Sequence, residues 1–285
     1  MLKTLLGISP QAEPDGSYRP SKLAMKLATS AVTDYEPVPQ GAVSGHGARV
    51  LVVVTERKDM TMLNGKRFST GTHPVELLVP LLHLRSAGLE IEITTPTGAP
   101  AAIEMWAMPT KDEAVMGLYE ALKPQLEAPL SLSQVVEGLP SRSDTRAVYL
   151  PGGHGAMLGL PEDENLGRLL RWAHETGVYT VALCHGPGAL LATTAGDSPF
   201  LYEGYKMAVF PDSVDKMTPK IGYLPGAMPW HLGAKLAGLG VNVVNTKADD
   251  TCCVDRLLIT GASPEASQKL GVLVTKTILD SSAAG

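Results

Sequence analysis

Cysteine is scarce in this sequence of 285 residues. Only three are present, and Cys252 and Cys253 are adjacent to each other. This arrangement argues against the disulfide framework of a small secreted domain. The adjacent pair begins an apolar segment and has no second pair of metal ligands beside it, so we interpret it as structural. Cys184 is therefore the cysteine considered for chemistry.

Runs of lysine and arginine are also absent. The chain has 24 basic and 29 acidic residues and a formal net charge of −5. Proteins that track a phosphate backbone cluster their basic residues. We therefore expect no nucleic-acid binding.

The sequence also lacks long apolar runs. The longest, such as residues 50–54 (VLVVV), fall far short of the roughly 20 residues that cross a bilayer. The first six residues (MLKTLL) show no extended apolar region or cleavage site of a secretory signal. We expect a cytoplasmic protein without a membrane span.

Short apolar runs instead alternate with segments of helical length. Residues 49–55 (RVLVVVT) are apolar and β-branched, which is typical of a strand buried on both faces of a parallel sheet. A helix is predicted at 73–87, with Gly88 as its C-terminal cap. Further strands are predicted at 89–95, 146–150, 178–183, 206–210, 241–244 and 256–260. The pattern predicts an α/β core over residues 48–285, with a mostly parallel sheet covered by helices.

Two segments interrupt this alternation. Residues 1–47 contain many prolines and glycines and have weak periodicity. Residues 98–143 separate two predicted strands and contain prolines at five positions. We expect these two segments to pack together as a smaller cap lobe beside the core.

Cys184 lies where a predicted strand ends and a helix of small residues begins, in the sequence VYTVALCHGPGALLA. A nucleophile on such a turn projects from the carboxyl end of the sheet, and the helix N-terminus directs amides toward it. Both effects favour a thiolate. Gly186 and Gly188 avoid crowding of the turn, and His185 can carry a proton or donate its amide to an oxyanion. The alternative is a buried structural cysteine.

A glycine-rich motif, YLPGGHGA, follows another predicted strand. The ligand crevice of an open α/β sheet lies at the carboxyl ends of its strands, so this loop and Cys184 could face one another. Gly152 and Gly153 permit a tight turn with exposed amides. The motif is consistent with an oxyanion hole or with an ordinary turn.

Carboxylates provide further candidates. Glu76 lies in the first turn of the predicted helix 73–87, where it can complement the helix dipole or take part in chemistry. In the sequence FPDSVD, either Asp212 or Asp215 can cap a helix or orient His185. The residues alone leave both choices open.

Five motifs together carry a family resemblance: GTHPVE, WAMPTKDE, PGGHGA, LCHGP and FPDSVDKMTPKIGYLPG. The chain resembles the ThiJ/PfpI superfamily, and within it the HchA-type heat-shock chaperones, also described as glutathione-independent glyoxalases and protein deglycases. The resemblance implies a flavodoxin-like core with a smaller lobe and a homodimer. It also implies that Cys184 is the nucleophile, that His185 and Asp215 are its partners, and that Glu76 is the nearby acid.

The sequence departs from that family branch at a separate metal site of two histidines and a glutamate. Glu90 matches the glutamate, but Arg85 and Leu122 occupy the histidine positions. Neither side chain is a zinc ligand in proteins. We therefore expect no metal and no cofactor. The loop before Asp215 is also longer than the family pattern, which keeps Asp212 as the alternative.

The resemblance implies dicarbonyl substrates. We expect Cys184 to attack the aldehyde carbon of methylglyoxal or glyoxal, with the oxyanion held by amides near Gly153 and His185. His185 and Glu76 then move protons through an enediol, and water releases lactate or glycolate. Early adducts on proteins equilibrate with free aldehyde, so glycated proteins are expected substrates too.

Two alternatives stay open. The same turn serves acyl transfer, so the chain could be a cysteine peptidase. It could also be a holdase chaperone that binds unfolded proteins through apolar surface, with Cys184 as a redox sensor and no turnover.

Overall fold

Strands and helices alternate along the chain in the computed structural model, which describes residues 7–38 and 45–283. The strands are β1 Gln11–Ala12, β2 Tyr18–Arg19, β3 Arg49–Val53, β4 Asp59–Thr61, β5 Arg67–Ser69, β6 Glu90–Thr95, β7 Leu130–Ser131, β8 Thr145–Leu150, β9 Tyr179–Leu183, β10 Lys206–Met207, β11 Asn242–Val243, β12 Cys252–Asp255 and β13 Leu258–Gly261. The α-helices are α1 Lys22–Ala28, α2 Pro74–Ser86, α3 Glu113–Glu127, α4 Leu132–Glu137, α5 Glu164–Thr176, α6 Asp212–Met217, α7 Leu232–Ala237 and α8 Ser267–Ala283. Within the described ranges, no helix combines the length and the apolar character needed to cross a bilayer.

Seven strands form the main sheet, in the order β12-β13-β9-β8-β3-β6-β7. All neighbours pair in parallel except β12, which is antiparallel to β13. The predicted α/β fold with a mostly parallel sheet is therefore confirmed.

The alternating side chains of β3 explain why both faces of the sheet are covered. Leu51 and Val53 pack into one buried apolar cluster, to which α5 contributes leucines. Val50 and Val52 pack into a second cluster on the other face, with α2 and α8. All four are fully buried. Burial of each such side chain contributes about 1.5–3 kcal/mol to the free energy of unfolding.

The carboxyl ends of β8, β9 and β13 lie side by side. Leu150 pairs with Ala182, and Gly261 pairs with Leu183. Because parallel strands end at the same edge of the sheet, the loops that follow β8 and β9 meet there. This edge holds the candidate site.

The predicted strands at 206–210 and 241–244 are wrong as members of the main sheet. Only Lys206–Met207 and Asn242–Val243 are strands, and they pair with each other in a separate two-stranded parallel sheet. Directly after Met207, a side chain replaces the backbone partner that a neighbouring strand would provide, because the Ala208 amide donates to Thr260 Oγ1 at 2.8 Å. Apolar, β-branched composition predicts extended chain but does not specify which ladder it joins.

The N-terminal arm forms a small sheet away from the main one. β1 pairs with β2, which joins β5 and β4 in the order β1-β2-β5-β4. The arm also reaches the inserted segment, because the amide and hydroxyl of Thr33 donate to Asp112 Oδ2 at 2.9 and 2.6 Å. Residues 1–6 and 39–44 of the arm lie outside the described residues.

The inserted segment 98–143 contributes to the core as well as to the surface. Its strand β7 pairs with β6 at the edge of the main sheet. Its helix α3 buries Val115 and Leu122 in the same apolar cluster as α2. The division of the chain into a core and a cap lobe stays a prediction.

Candidate active site

Cys184 lies on a strained turn directly after β9. Its backbone has a φ of 60°, in the left-handed region. The Cys184 amide donates to Gly261 O at 2.8 Å, and its carbonyl accepts from the Phe210 amide at 2.9 Å. A non-glycine residue in this conformation costs about 1–3 kcal/mol and needs such support from its surroundings. The turn directs the side chain of Cys184 into a cavity at the edge of the sheet.

The predicted helix of small residues follows directly. It is a 3₁₀ segment over Gly186–Asp197, in which Ala195 and Gly196 have non-helical backbone conformations. A Cβ on Gly186 would lie 2.1 Å from Leu150 O, so a glycine is required there. A Cβ on Gly188 would make only ordinary contacts, the nearest at 3.5 Å. The prediction that a side chain at this position would crowd the turn is therefore wrong.

One carboxylate, Asp215, orients the histidine next to the cysteine. His185 Nδ1 lies 3.4 Å from Cys184 Sγ, and His185 Nε2 lies 2.8 Å from Asp215 Oδ2. A carboxylate accepts, so Nε2 carries the proton and the lone pair of Nδ1 faces the sulfur. Asp212 instead accepts hydrogen bonds from the first amides of α7 and acts as a helix cap. The structure therefore places Asp215, and not Asp212, beside His185.

A second histidine, His154, was missed by the sequence prediction. His154 Nε2 lies 3.0 Å from Asp215 Oδ1, and its ring centroid lies 4.1 Å from that of His185. His154 belongs to the PGGHGA motif, of which only the glycines entered the prediction. Its place after β8, beside the loop after β9, was the signal that could have found it.

The pKa values of the two histidines are shifted in opposite directions. Burial and the neighbouring His154 hold the pKa of His185 below its ordinary value, although Asp215 opposes them. Burial also acts to lower the pKa of His154, but the charge and hydrogen bond of Asp215 outweigh it and raise that pKa. Burial would raise the pKa of Asp215, and the two histidines lower it below its usual range. His185 is thus the neutral partner of an ionised Asp215.

Glu76 lies against the cysteine because Gly152 has no side chain. A Cβ on Gly152 would lie 2.3 Å from Glu76 Oε2 and 2.9 Å from Cys184 Cβ. Burial raises the pKa of Glu76 well above its ordinary value. His73 Nδ1 lies 3.9 Å from Glu76 Oε1, but burial lowers the pKa of His73 to about 3, so His73 provides no positive charge. Burial therefore favours the protonated form of Glu76.

Burial opposes the thiolate that the turn and the helix N-terminus favour. Cys184 is 3% exposed. Burial raises the pKa of the Cys184 thiol well above its ordinary value. Desolvation disfavours the charged form and outweighs the turn and the helix N-terminus that favour it. The sulfur is a thiol at rest and needs a base, which His185 Nδ1 is placed to be.

Two residues predicted to offer backbone amides, Gly153 and His185, line the cavity that holds Cys184. Gly153 has a φ of 92°, and a Cβ there would lie 2.4 Å from Gly71 O, so both conformation and space require glycine. Among the described residues, neither amide donates a hydrogen bond to another backbone group. The structure thus brings together the residues predicted for an oxyanion hole.

A buried carboxyl group, Glu104, was also missed. Its Oε1 accepts from Thr70 Oγ1 at 2.7 Å. Burial raises the pKa of Glu104 to about 7, although His154 opposes this rise. It lies two residues before the motif WAMPTKDE, so only the fold shows that it lines the cavity.

The cavity has a volume of about 320 Å³ and a polar floor built from the groups above. Its other wall is largely apolar and includes Leu27 of α1, Phe210, Val214, Ile221 and Tyr223. Such a space admits a molecule with a few carbon atoms or one slender side chain.

The residues that match the family's separate metal site do not form a ligand set. Glu90 Oε2 lies 3.4 Å from Arg49 Nη2 at the surface. Arg85 is exposed on α2, and Leu122 is buried in the apolar core. These side chains do not fit a zinc ion.

His154, His185 and Asp215 are a second group to consider for a metal, since their donor atoms lie within 4.8 Å of one another. The two Nε2 atoms, however, each approach a different oxygen of the carboxylate at 2.8 and 3.0 Å. These are hydrogen-bond distances. We therefore interpret the group as hydrogen-bonded.

Comparisons with known proteins agree with this fold. A model of the DJ-1/PfpI family matches residues 67–277. The chain is 40% identical over 265 residues to the protein/nucleic acid deglycase HchA of Escherichia coli O1:K1, with 93% of each chain covered, and equally to protein/nucleic acid deglycase 1 of E. coli strain K12. The crystal structure of glyoxalase III from Candida albicans is 20% identical with a TM-score of 0.63, and the match covers 81% of this chain and 97% of that one. With a matching family model over most of its length, the chain belongs to the DJ-1/PfpI family.

Proposed function

We propose that this protein is a cofactor-independent deglycase of glyoxalase type, which converts methylglyoxal or glyoxal to a hydroxy acid and removes early glycation adducts. One observation carries the proposal. A cysteine on a strained turn faces a neutral histidine base and a protonated glutamate inside a cavity for small substrates. The 40% identity to protein/nucleic acid deglycases supports the same chemistry.

The first step makes a covalent adduct. His185 Nδ1 takes the proton of the Cys184 thiol, and the sulfur attacks the aldehyde carbon of methylglyoxal. The carbonyl oxygen becomes an alkoxide next to the amides of Gly153 and His185. Glu76, which holds a proton beside the sulfur, supplies it to this oxygen. The product is a hemithioacetal.

The second stage is an internal oxidation and reduction that needs no external electron acceptor. The carboxylate of Glu76, which gave up its proton in the first step, removes the hydrogen of the former aldehyde carbon as a proton, and the imidazolium of His185 protonates the ketone oxygen, so that an enediol forms. Glu76 returns its proton to the neighbouring carbon while His185 takes the proton of the former aldehyde oxygen, which gives the thioester of lactate with Cys184. Water cleaves the thioester and regenerates the thiol. The sum is methylglyoxal plus water to lactic acid, and His185 and Glu76 are the groups placed to move the protons.

Deglycation uses the same entry. Early adducts of methylglyoxal on cysteine, lysine or arginine are hemithioacetals or aminocarbinols, and they release the aldehyde reversibly. The narrow cavity can admit either the free aldehyde or a slender side chain that carries it. The relatives' name adds nucleic acid, which the lack of a basic run does not predict. We therefore include a glycated nucleotide among the substrates to test.

The decisive experiment measures dicarbonyl consumption and lactate formation in buffer free of amines and thiols, with chelator present. Wild type, Cys184→Ser and the matched control Cys252→Ser are compared. We expect lactate from wild type and from Cys252→Ser, and none from Cys184→Ser. An inactive wild type would contradict the proposal and favour a redox-sensing chaperone. Cleavage of peptides that depends on Cys184 would favour a peptidase.

A kinetic limit separates the two substrate forms. An enzyme that uses only free aldehyde cannot remove an adduct faster than the adduct dissociates. The loss of N-acetylcysteine and guanosine adducts is therefore followed against excess enzyme and compared with their spontaneous dissociation. A loss faster than dissociation shows direct deglycation, and a loss at the limit shows action on the free aldehyde alone.

Three further properties stay predictions. We propose a homodimer, to be tested by light scattering, and a cytoplasmic location, to be tested by fractionation. Holdase activity is tested by the aggregation of a heated client protein, in which Cys184→Ser should behave as wild type.

A further inference from the structure

Asp215 is shared between two histidines. Each of its oxygens faces one Nε2 atom, that of His185 at 2.8 Å and that of His154 at 3.0 Å. All three side chains are buried. The usual arrangement of a catalytic cysteine and histidine needs a single orienting residue, so His154 is superfluous to it.

The groups that surround the two histidines are not equivalent. His185 faces the Cys184 thiol, and Asp212 adds a more distant negative charge. His154 instead faces Glu104, whose ionised form adds to the negative charge of Asp215. With a pKa raised to about 7, Glu104 is partly ionised at neutral pH.

The remaining neighbours of the two histidines do not cancel this difference in the surrounding negative charge. His73 interacts with both histidines, and its own pKa lies near 3, so it is neutral. Tyr223 packs against the ring of His154, with the ring centroids 6.1 Å apart, and burial raises its pKa well above the ordinary value. Negative charge is thus concentrated on the side of His154.

We propose that His154 is a positioning residue that carries the positive charge opposite Asp215, so that His185 stays neutral and keeps its Nδ1 lone pair for the Cys184 thiol. The inference rests on the function proposed above, because a neutral His185 matters only if it acts as a base. Two imidazolium rings at a centroid distance of 4.1 Å would repel each other, so one cation excludes the other.

The consequence for the reaction is a broad pH range. An aspartate with a single histidine partner stabilises the imidazolium form of that partner, which raises its pKa and removes the base at mildly acidic pH. A second histidine whose positive charge already balances the charge of the aspartate weakens this effect. His185 then remains a neutral base at a pH where the histidine of a single histidine–aspartate pair would be protonated.

The charges can be measured without turnover. Protein labelled with ¹⁵N-histidine is titrated by NMR, which distinguishes neutral tautomers from the cation, and His154→Gln and His185→Gln provide the assignments. We expect His154 as the cation near pH 7 and His185 neutral with its proton on Nε2. In His154→Gln, the pKa of His185 should rise by about one or more, since Gln donates a hydrogen bond to Asp215 without a charge.

The pH dependence of the kinetics provides a second, independent test. The acid limb of the pH profile of kcat/KM should move to higher pH in His154→Gln by the same amount. The rate on that limb then falls about tenfold for every pH unit by which the limb moves. The rate on the alkaline plateau should change only a few-fold. His174→Gln on α5, away from the site, is the matched control and should leave the profile unchanged.

The outcomes separate this inference from the proposed function. A cationic His185 in wild type, or an unchanged pKa of His185 in His154→Gln, would overturn the inference whatever the activity. A uniform loss of rate at every pH would also overturn it, because that is the mark of a merely structural role. A wild type without turnover that shows the expected charges would contradict the proposed function alone. If His154→Gln does not fold, the wild-type titration still decides which histidine carries the charge.

Discussion

Replacement of Asp215 by asparagine should abolish nearly all turnover while leaving the fold intact. The carboxylate accepts from two Nε2–H groups, whereas an amide has one oxygen and one NH₂ group. His154, the cation in our proposal, is the better donor and should take the oxygen. The NH₂ group then faces His185 Nε2, which must become an acceptor, so the ring proton moves to Nδ1 and faces Cys184. The base is lost.

The size of the effect follows from this change of tautomer. An equivalent tautomer change in a serine protease triad lowers kcat about 10⁴-fold, and we expect a loss of about 10³–10⁴-fold in Asp215→Asn. That loss corresponds to about 4–5.5 kcal/mol of activation free energy. Lactate formation under saturating methylglyoxal is the assay.

The matched control is Asp212→Asn, three residues away on the same helix. Asp212 caps α7 by accepting from the Gly233 amide with one oxygen and from the Ala234 amide with the other, so asparagine keeps one of these hydrogen bonds and loses the second. That loss should cost about 1 kcal/mol of unfolding free energy. The turnover of Asp212→Asn should stay within a few-fold of wild type. A large loss in Asp212→Asn together with an active Asp215→Asn would refute the reasoning, and so would an Asp215→Asn variant that retains a tenth of the wild-type rate.

Two further predictions concern the packing and the charge of the site. Gly152→Ala places a methyl group 2.3 Å from Glu76 Oε2, so it should lower the free energy of unfolding by about 1–3 kcal/mol and abolish turnover. Gly188→Ala, with its nearest contact at 3.5 Å, should do neither. Thermal unfolding and lactate assays check both variants, and an active, stable Gly152→Ala would show that turnover does not require the present position of Glu76. Glu104 has a pKa of about 7 in the folded protein against an ordinary value of 4.5, so its contribution to stability is complete below about pH 4.5 and is lost as the pH rises to 7. Between these two pH values, the unfolding free energy of Glu104→Gln should therefore rise by about 3 kcal/mol relative to that of wild type. Denaturant titrations at several pH values measure this difference, and a difference that does not change with pH would contradict the raised pKa.

The order of the main elements could be predicted because the signal is local. β3, β6, β8 and β9 are short apolar runs, and the alternation of strand and helix specifies a parallel sheet. The segment at 206–210 shows where this fails, since its backbone is satisfied by side chains such as Thr260 that are distant in sequence. Composition does not carry that information.

The site was predicted in part for the same reason. Cys184 and His185 share one turn, so sequence proximity revealed them. Glu104 meets the site only through the fold. His154 follows Gly153 in the chain, but only the fold brings its ring to Asp215. The protonation of the thiol depends on burial, which the sequence around Cys184 does not reveal, because its glycines and histidine are typical of an accessible nucleophile.

The depth of Cys184 determines which lesions can be repaired. With the sulfur 3% exposed at the floor of a cavity of about 320 Å³, a modified group must enter at the end of a flexible stem. An adduct on a protruding lysine or arginine has such a stem, while an adduct packed inside a folded protein or stacked in a duplex does not. The same adduct should therefore be removed at very different rates, according to how often the protein or duplex that carries it opens locally. The stability of the modified molecule, rather than its sequence, would then determine the order of repair.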